Sequence, residues 1–338
     1  MSSPAVGLPR FTAVLVLLLA ALCWGAGNVA NKTVLEHLPP LTVAGLRCLL
    51  AALVMVPFVW RDLSRGLSWA WLTSAAGVSI LFAAALALQQ MAYQTTTVTN
   101  ASFLVNTATI ITPVLVWVLL RQRPAIAVAC AAPLTLLGAF LMTGATVSLT
   151  AMNVGDLLCL ASAAAYAGWM VALGQHVMTH GRPLGTALVQ FAVSAVLVLP
   201  VAVWAEAPDL GAARQAWPEL LMLGVVSTAL AFGLMTWAQR FVAASTAAIL
   251  VSAESLFGAA GAYLWLGERT PNIGMAGAAL ILLAIVLVAL GGRVAPPVRA
   301  DATSPVDAVP DILPEPAVPH PAFLTTDSAT FVSKRRAL

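Results

Sequence analysis

Charge is scarce in this chain. Lys, Arg, Asp and Glu make up 9% of its 338 residues, against 61% that are hydrophobic, whereas a soluble domain carries about 25% charged residues. So few polar groups cannot cover a water-facing surface. The scarcity excludes an ordinary soluble globule and makes lipid the solvent that fits. The net charge of +3 is scattered. Apart from Lys334, Arg335 and Arg336 there is no basic cluster of the kind that grips phosphate backbones, so no nucleic-acid partner is expected. Cysteine is sparse too. Cys23, Cys48, Cys130 and Cys159 all fall inside apolar runs without metal-ligand spacing, which reads as small core residues and not as a disulfide framework.

Catalytic signatures are also missing. The sequence has no HExxH, no GxSxG, no paired-aspartate motif and no Walker A loop. His176 and His180 are spaced i,i+4 but have no acidic neighbour nearby, and with His37 and His320 they read as loop or tail residues. No metal, cofactor or enzymatic activity is expected. Uphill transport would have to draw on an ion gradient or on exchange.

What the chain has in abundance is long apolar runs. A spanning helix needs ~20 mainly apolar residues, and ten such runs occur, at approximately 11–31, 41–60, 69–92, 98–120, 125–145, 156–174, 184–204, 219–239, 243–266 and 272–291. The first follows a short segment bearing Arg10 but is too long for a signal peptide and is read as a retained helix. Beyond Gly292 the composition shifts to prolines and scattered acids, which predicts a disordered tail over 292–338. Loop Arg and Lys set orientation. Arg10, Arg61, Arg65, Arg121, Arg123, Arg182, Arg240, Arg293 and Arg299 alternate onto one side, and only Lys32, Arg214 and Arg269 fall on the other. A multi-pass protein of the cell (inner or plasma) membrane with both termini cytoplasmic is expected, residues 1–10 forming the N-terminal segment. Trp60, Trp69, Trp71, Trp117, Trp204, Trp217 and Trp265 lie near span ends, where indoles prefer the interface.

Ten spans divide into five plus five, and an odd-numbered unit duplicated in tandem inserts its second copy upside down. A trace of duplication is present: Ala101, Leu104, Val105, Leu120 and Arg123 match Ala247, Leu250, Val251, Leu266 and Arg269 at a constant spacing. The expected fold is therefore all-α, an integral membrane protein of ten transmembrane helices arranged as two inverted five-helix repeats, 11–145 and 156–291. Such repeats recur in secondary transporters, with the site near the midplane between halves.

Several short motifs add to this: Cys23-Trp24-Gly25, Asn31-Lys32, Leu46-Arg47 and Asn100-Ala101-Ser102-Phe103-Leu104 in the first half, then Gly155-Asp156-Leu157-Leu158, Thr236-Trp237-Ala238-Gln239 and Leu266-Gly267-Glu268-Arg269 in the second. In this order and spacing the chain resembles the EamA-type branch of the drug/metabolite transporter superfamily over about residues 11–291. The resemblance implies a helical basket around a central cavity opened alternately to either side, and a secondary active transporter, expected to be an exporter, of small metabolites such as amino acids or amphipathic drug-like compounds. An intramembrane enzyme and a passive channel remain the alternatives. Gln122 and Ser255 depart from the family pattern, the latter where Pro is common, which questions a proline kink there.

The candidate site residues follow from polar and aromatic groups at spanning depth. Glu254, near the middle of the run 243–266, is the sole acid so placed, and a charge at mid-bilayer costs ~2.5–3.5 kcal/mol on insertion scales. It is read either as a proton carrier for ion coupling or as a fixed polar partner. Arg47 lies inside the second span and either snorkels outward or serves as an anion or counter-ion site. Residues three, four and seven apart share a helix face. Trp24 and Asn28 share one with Lys32, Tyr166 and Trp169 share one with Cys159 and Ser162, and Asn106 lies on a face with Thr99, Ser102, Thr109 and Pro113. Gln89, Gln90 and Tyr93 in the third span and Gln190 in the seventh complete the set. Each is weighed between lining a cavity and packing between helices. Substrate-binding candidates are Trp24, Asn28, Gln89, Asn106, Tyr166, Trp169, Gln190 and Glu254, and the coupling candidates are Glu254 and Arg47. The expected partners are the lipid bilayer, a small-molecule substrate and a proton.

Overall fold

Backbone that crosses hydrocarbon finds no water, so each apolar run must satisfy its own N–H and C=O groups, and a helix does so within one segment. The computed structural model describes residues 7–64, 66–96, 98–144, 152–261, 263–264 and 272–291, and among these no strand occurs. The first half runs through α1 (Gly7–Val34), α2 (Pro40–Leu63), α3 (Trp69–Ala92), α4 (Val98–Asn106), α5 (Ala108–Leu120) and α6 (Ile126–Met142). The second runs through α7 (Val154–His180), α8 (Pro183–Glu206), the short α9 (Leu210–Gln215), α10 (Trp217–Leu221), a π-helical segment (Met222–Leu230), α11 (Ala231–Ala238), α12 (Ala244–Val251), α13 (Glu254–Gly261) and α14 (Asn272–Gly291). Nine segments among the described residues are long and apolar enough to cross a membrane, and Ile126–Met142 is a shorter apolar tenth. The protein is a multi-pass membrane protein. The tail expected over 292–338, the first six residues, Trp265, Glu268 and Arg269 lie outside the described residues.

The two halves pack as an interchangeable pair. Among the closest neighbours, α2 runs along α8 and α6 along α14, each a span against its own counterpart. α3 runs along α7, while α1 runs along the eighth span, built from α10, the π segment and α11. Exchanging the halves turns the first of these pairs into the second. The same exchange maps α1 against α13 onto α7 against α4 and α5. Such a pattern is what two inverted copies of one unit produce.

Two devices tie the halves at helix ends. Pro39 and Pro40 open α2 without a side-chain cap of their own. Instead Glu206, at the end of α8, accepts from Leu41 N (2.8 Å), Thr42 N (2.7 Å) and Thr42 Oγ1 (2.7 Å), so a carboxylate supplies the orphan N–H groups and complements the helix dipole. At the start of α7, Asn153 and Asp156 form a capping box. Asp156 also accepts from Thr96 Oγ1 at 2.5 Å, and Asn153 Nδ2 donates to Thr95 O at 2.8 Å, which fastens this cap to the turn after α3.

The fourth and ninth spans differ from the continuous helices expected. Both are broken, at Thr107 and at Ser252–Ala253. No proline causes either break. Thr107 Oγ1 donates to Leu104 O (2.6 Å) and Ser252 Oγ to Ile249 O (2.6 Å). Each hydroxyl takes a carbonyl three residues back and competes with the helix register. The breaks occupy equivalent places in the two halves, and the second leaves Glu254 at the first position of α13.

Three further expectations are corrected. His176 is not a loop residue: α7 runs on to His180, and His176 is buried with Nδ1 2.8 Å from Ser74 Oγ and Nε2 3.0 Å from Thr186 Oγ1. Trp71 is not an interface anchor, because it is buried edge-on against His176 at 5.4 Å. Cys130 is exposed on the outside of the bundle and is not a core residue.

The α6–α14 contact is backbone on backbone. A Cβ built on Gly138 would lie 2.6 Å from Gly277 O, and one on Gly277 would collide with Gly138 O. Gly138→Ala should therefore lower the thermal unfolding midpoint in detergent by several degrees, since overpacking costs about 1–3 kcal/mol. Gly77→Ala, where nothing lies within 4 Å, should leave the midpoint unchanged. Equal midpoints for the two variants would contradict the close approach.

Candidate functional site

The aromatic residues of the two halves meet at the centre. Trp24 of α1 packs edge-on against Phe232 of α11 at 4.7 Å, and Trp169 of α7 packs on Phe82 of α3 at 5.4 Å. These are the same contact made in opposite directions. The two phenylalanines then touch one another at 4.8 Å and 82°, a T-shaped pair of the favoured kind. Phe191 stands behind them, 5.9 Å from Phe82. The cluster forms a partition across the bundle.

On the side of the partition toward the α1–α2 connection lies a cavity of about 120 Å³, with room for a small solute and not merely a single water. Trp24, Trp169, Phe232 and Met235 line its apolar part, while Asn28, Gln89, Tyr93, Asn106 and Tyr166 supply polar groups. Arg47 and Glu254 line it as well. Eight of the nine sequence candidates thus share one wall, namely Trp24, Asn28, Arg47, Gln89, Asn106, Tyr166, Trp169 and Glu254. Gln190 does not. It is fully buried behind Trp169, where its Oε1 accepts the indole N–H at 3.1 Å, so it orients a lining residue and meets the cavity only through it. Among the described residues its own Nε2 has no partner.

The polar wall is knitted from both halves. Asn31 and Gln90 exchange two amide hydrogen bonds (3.3 and 3.1 Å) between α1 and α3. Tyr166 Oη donates to Gln89 Oε1 at 3.0 Å, and Asn106 Nδ2 donates to Ser255 Oγ at 3.0 Å. The last bond joins the two broken spans beside Glu254. Among the described residues Glu254 has no hydrogen-bond or ion-pair partner. Tyr93 and Tyr166 line the same cavity as Glu254 and Arg47.

Arg47 does not snorkel. Its side chain is buried, with Nε donating to Thr228 Oγ1 (2.8 Å) and Nη2 to Ser227 Oγ (3.1 Å). Both hydroxyls sit on the π segment. Ser227, Thr228, Phe232 and Ser252 are not among the sequence candidates, although all but Thr228 line the cavity. Adjacent hydroxyls in the middle of an apolar run were the available signal for the first pair. No group of three or more His, Cys, Asp or Glu is placed to hold a metal among the described residues.

The family model described as "EamA-like transporter family" matches the chain twice, over residues 11–144 and 153–290. The chain belongs to the EamA-like transporter family. Among relatives of this EamA-like protein is an "Uncharacterized transporter" of Archaeoglobus fulgidus, 26% identical over 288 residues, 85% of this chain and 88% of the relative. Another is the "Uncharacterized transporter YwfM" of Bacillus subtilis (strain 168), 26% identical over 287 residues, 82% of this chain and 94% of the relative. A protein of known crystal structure superposes with a TM-score of 0.68 at 17% identity, over 84% of this chain and 99% of that one, which shows that the fold is shared. The Asp156 of the family-like Gly155-Asp156 pair is the N3 residue of the α7 capping box.

Replacing Gln190 with Leu in this EamA-like transporter leaves the Trp169 N–H buried without an acceptor, which costs about 1–3 kcal/mol. Thermal unfolding of Gln190→Leu should show that loss. An unchanged midpoint for the Leu variant would mean that the indole bond does not hold Trp169 in place.

Proposed function

We propose that this chain is a secondary active transporter that carries small amphipathic metabolites, with amino acids as the first class to test, through its central cavity by alternating access. The observation that carries the reading is the cavity itself. One carboxylate and one guanidinium stand among tryptophans, amides and tyrosines, and an aromatic partition closes the end away from the α1–α2 connection. Charges are expensive inside a membrane and mark pathways there, and a partition with a pocket on one side is the arrangement a carrier needs in one of its two states. The repeat symmetry offers the other state, since exchanging the roles of the halves would place the pocket on the opposite side. The relatives' transporter names support the same class of activity.

The loop arginines favour cytoplasmic termini in the cell membrane. In that orientation the cavity faces outward, as it would after release of an exported solute. Glu254 serves as the proton-carrying group: gaining a proton removes the one negative charge of the lining and lets the ninth span move against its neighbours. Arg47, Tyr93 and Tyr166 are the other ionisable groups on that lining.

Reconstitution in proteoliposomes tests the reading. Uptake of a labelled amino acid should saturate and should accelerate when the same solute is preloaded on the far side. An imposed pH gradient should drive it uphill, and Glu254→Gln should abolish that gradient dependence while leaving counterflow and the folded fraction intact. Flux that never saturates would instead indicate a channel. Unchanged gradient dependence in Glu254→Gln would remove this residue from coupling.

A further inference from the structure

A guanidinium buried inside a membrane protein needs an anion or a full set of acceptors, because leaving it incompletely paired costs free energy. Among the described residues Arg47 has neither. The Ser227 and Thr228 hydroxyls accept from Nη2 and Nε, and among the described residues no carboxylate and no further acceptor meets the rest of the guanidinium fork. Glu254 lines the same cavity but forms no ion pair with Arg47. The unmatched donors therefore belong to a side chain that lines the cavity.

The site is built, because its parts are fixed from behind. Thr228 Oγ1 donates its own proton to Leu223 O, five residues back, at 2.7 Å, so its lone pairs are directed to Arg47. The π register of Met222–Leu230 widens the turn enough to make that bond, and π turns of this kind occur frequently at functional sites. Ser227 is held from the other side by α1. A Cβ on Gly27 would stand 2.5 Å from Ser227 Oγ, so glycine lets α1 approach and confines the hydroxyl. Two hydroxyls thus position one edge of a planar cation and leave its remaining donors for a partner of matching geometry. A carboxylate is that partner, since it takes two parallel N–H bonds from a guanidinium.

We propose that Arg47, positioned by Ser227 and Thr228, binds the carboxylate of the transported solute, which is accordingly an amphipathic small molecule with a free carboxyl group. The inference rests on the reading of this cavity as the substrate's site and deepens it. The apolar remainder of such a solute meets Trp24, Trp169 and Phe232. Arg47 is a binding residue. Ser227, Thr228 and Gly27 are positioning residues.

Equilibrium binding to the purified full chain in detergent tests this without requiring transport. L-leucine, L-methionine and L-phenylalanine are titrated beside their carboxamides, which keep the ammonium and the side chain but remove the anion. At least one amino acid should bind, with its carboxamide at least about tenfold weaker. Arg47→Gln should bring that ratio close to one, and Arg47→Lys should retain part of it. The Ser227→Ala, Thr228→Val double variant and Gly27→Ala should lower the ratio although Arg47 is intact, a change that mere loss of folded protein would not produce. Carboxamides binding as tightly as the acids, an unchanged ratio in Arg47→Gln, or no binding by any of the acids would each overturn the proposal. A protein that selects acids over amides yet fails to move them across proteoliposomes would instead contradict the transport reading and leave this site standing.

Discussion

A positive charge kept inside a hydrocarbon slab is the constraint on which the rest of the structure turns. Arg47 projects from α2 in the first half, and its two fixed acceptors come from the π segment in the second. The bonds therefore cross the boundary between halves at depth, where competing water is scarce and each hydrogen bond is electrostatically stronger. Much of the local backbone serves them. The wide turn frees Leu223 O for Thr228, and a glycine in α1 admits the neighbouring hydroxyl. The polar wall of the cavity is the visible side of this arrangement, and the aromatic partition is the apolar side that closes it.

The second organising fact is duplication. Trp24 on Phe232 and Trp169 on Phe82 are one packing solution used twice, and the contact of Phe82 with Phe232 joins them. The broken fourth and ninth spans repeat the theme, each with a hydroxyl turned back to a carbonyl three residues earlier. The two copies are not equal in chemistry. The ninth span carries Glu254 just after its break, where the fourth carries Ala108. The first half contributes Arg47 and the second contributes the hydroxyls that hold it. Duplication supplied the frame, and divergence between copies supplied a polar centre.

Much of this was legible in the sequence because membranes impose simple rules. Apolar length located the spans, and a lone acid in an apolar run located the cavity wall. Helical spacing placed Trp24 with Asn28 and Tyr166 with Trp169. The failures have a common origin in tertiary contact. Gln190 has the same composition signal as Gln89, yet it faces Trp169 and not the cavity, and only the neighbouring helix decides which way an amide points. His176 reads as a loop residue because hydropathy fades before α7 ends, while Ser74 and Thr186 satisfy its ring inside the bundle. Breaks without proline could not be read from residue type, since Thr73 and Thr109 also bond the carbonyl three residues back while their helices run on.

The aromatic partition has an electrical consequence. A membrane potential is worth about 2.3 kcal/mol for each elementary charge per 100 mV, and it falls mostly across whatever low-dielectric layer separates the two solutions. In the proposed outward-facing state, solution filling the polar cavity would reach the Trp24 and Phe232 rings, and that layer would be thinner than the bilayer. A charge passing the rings would then cross a large share of the voltage in a short step.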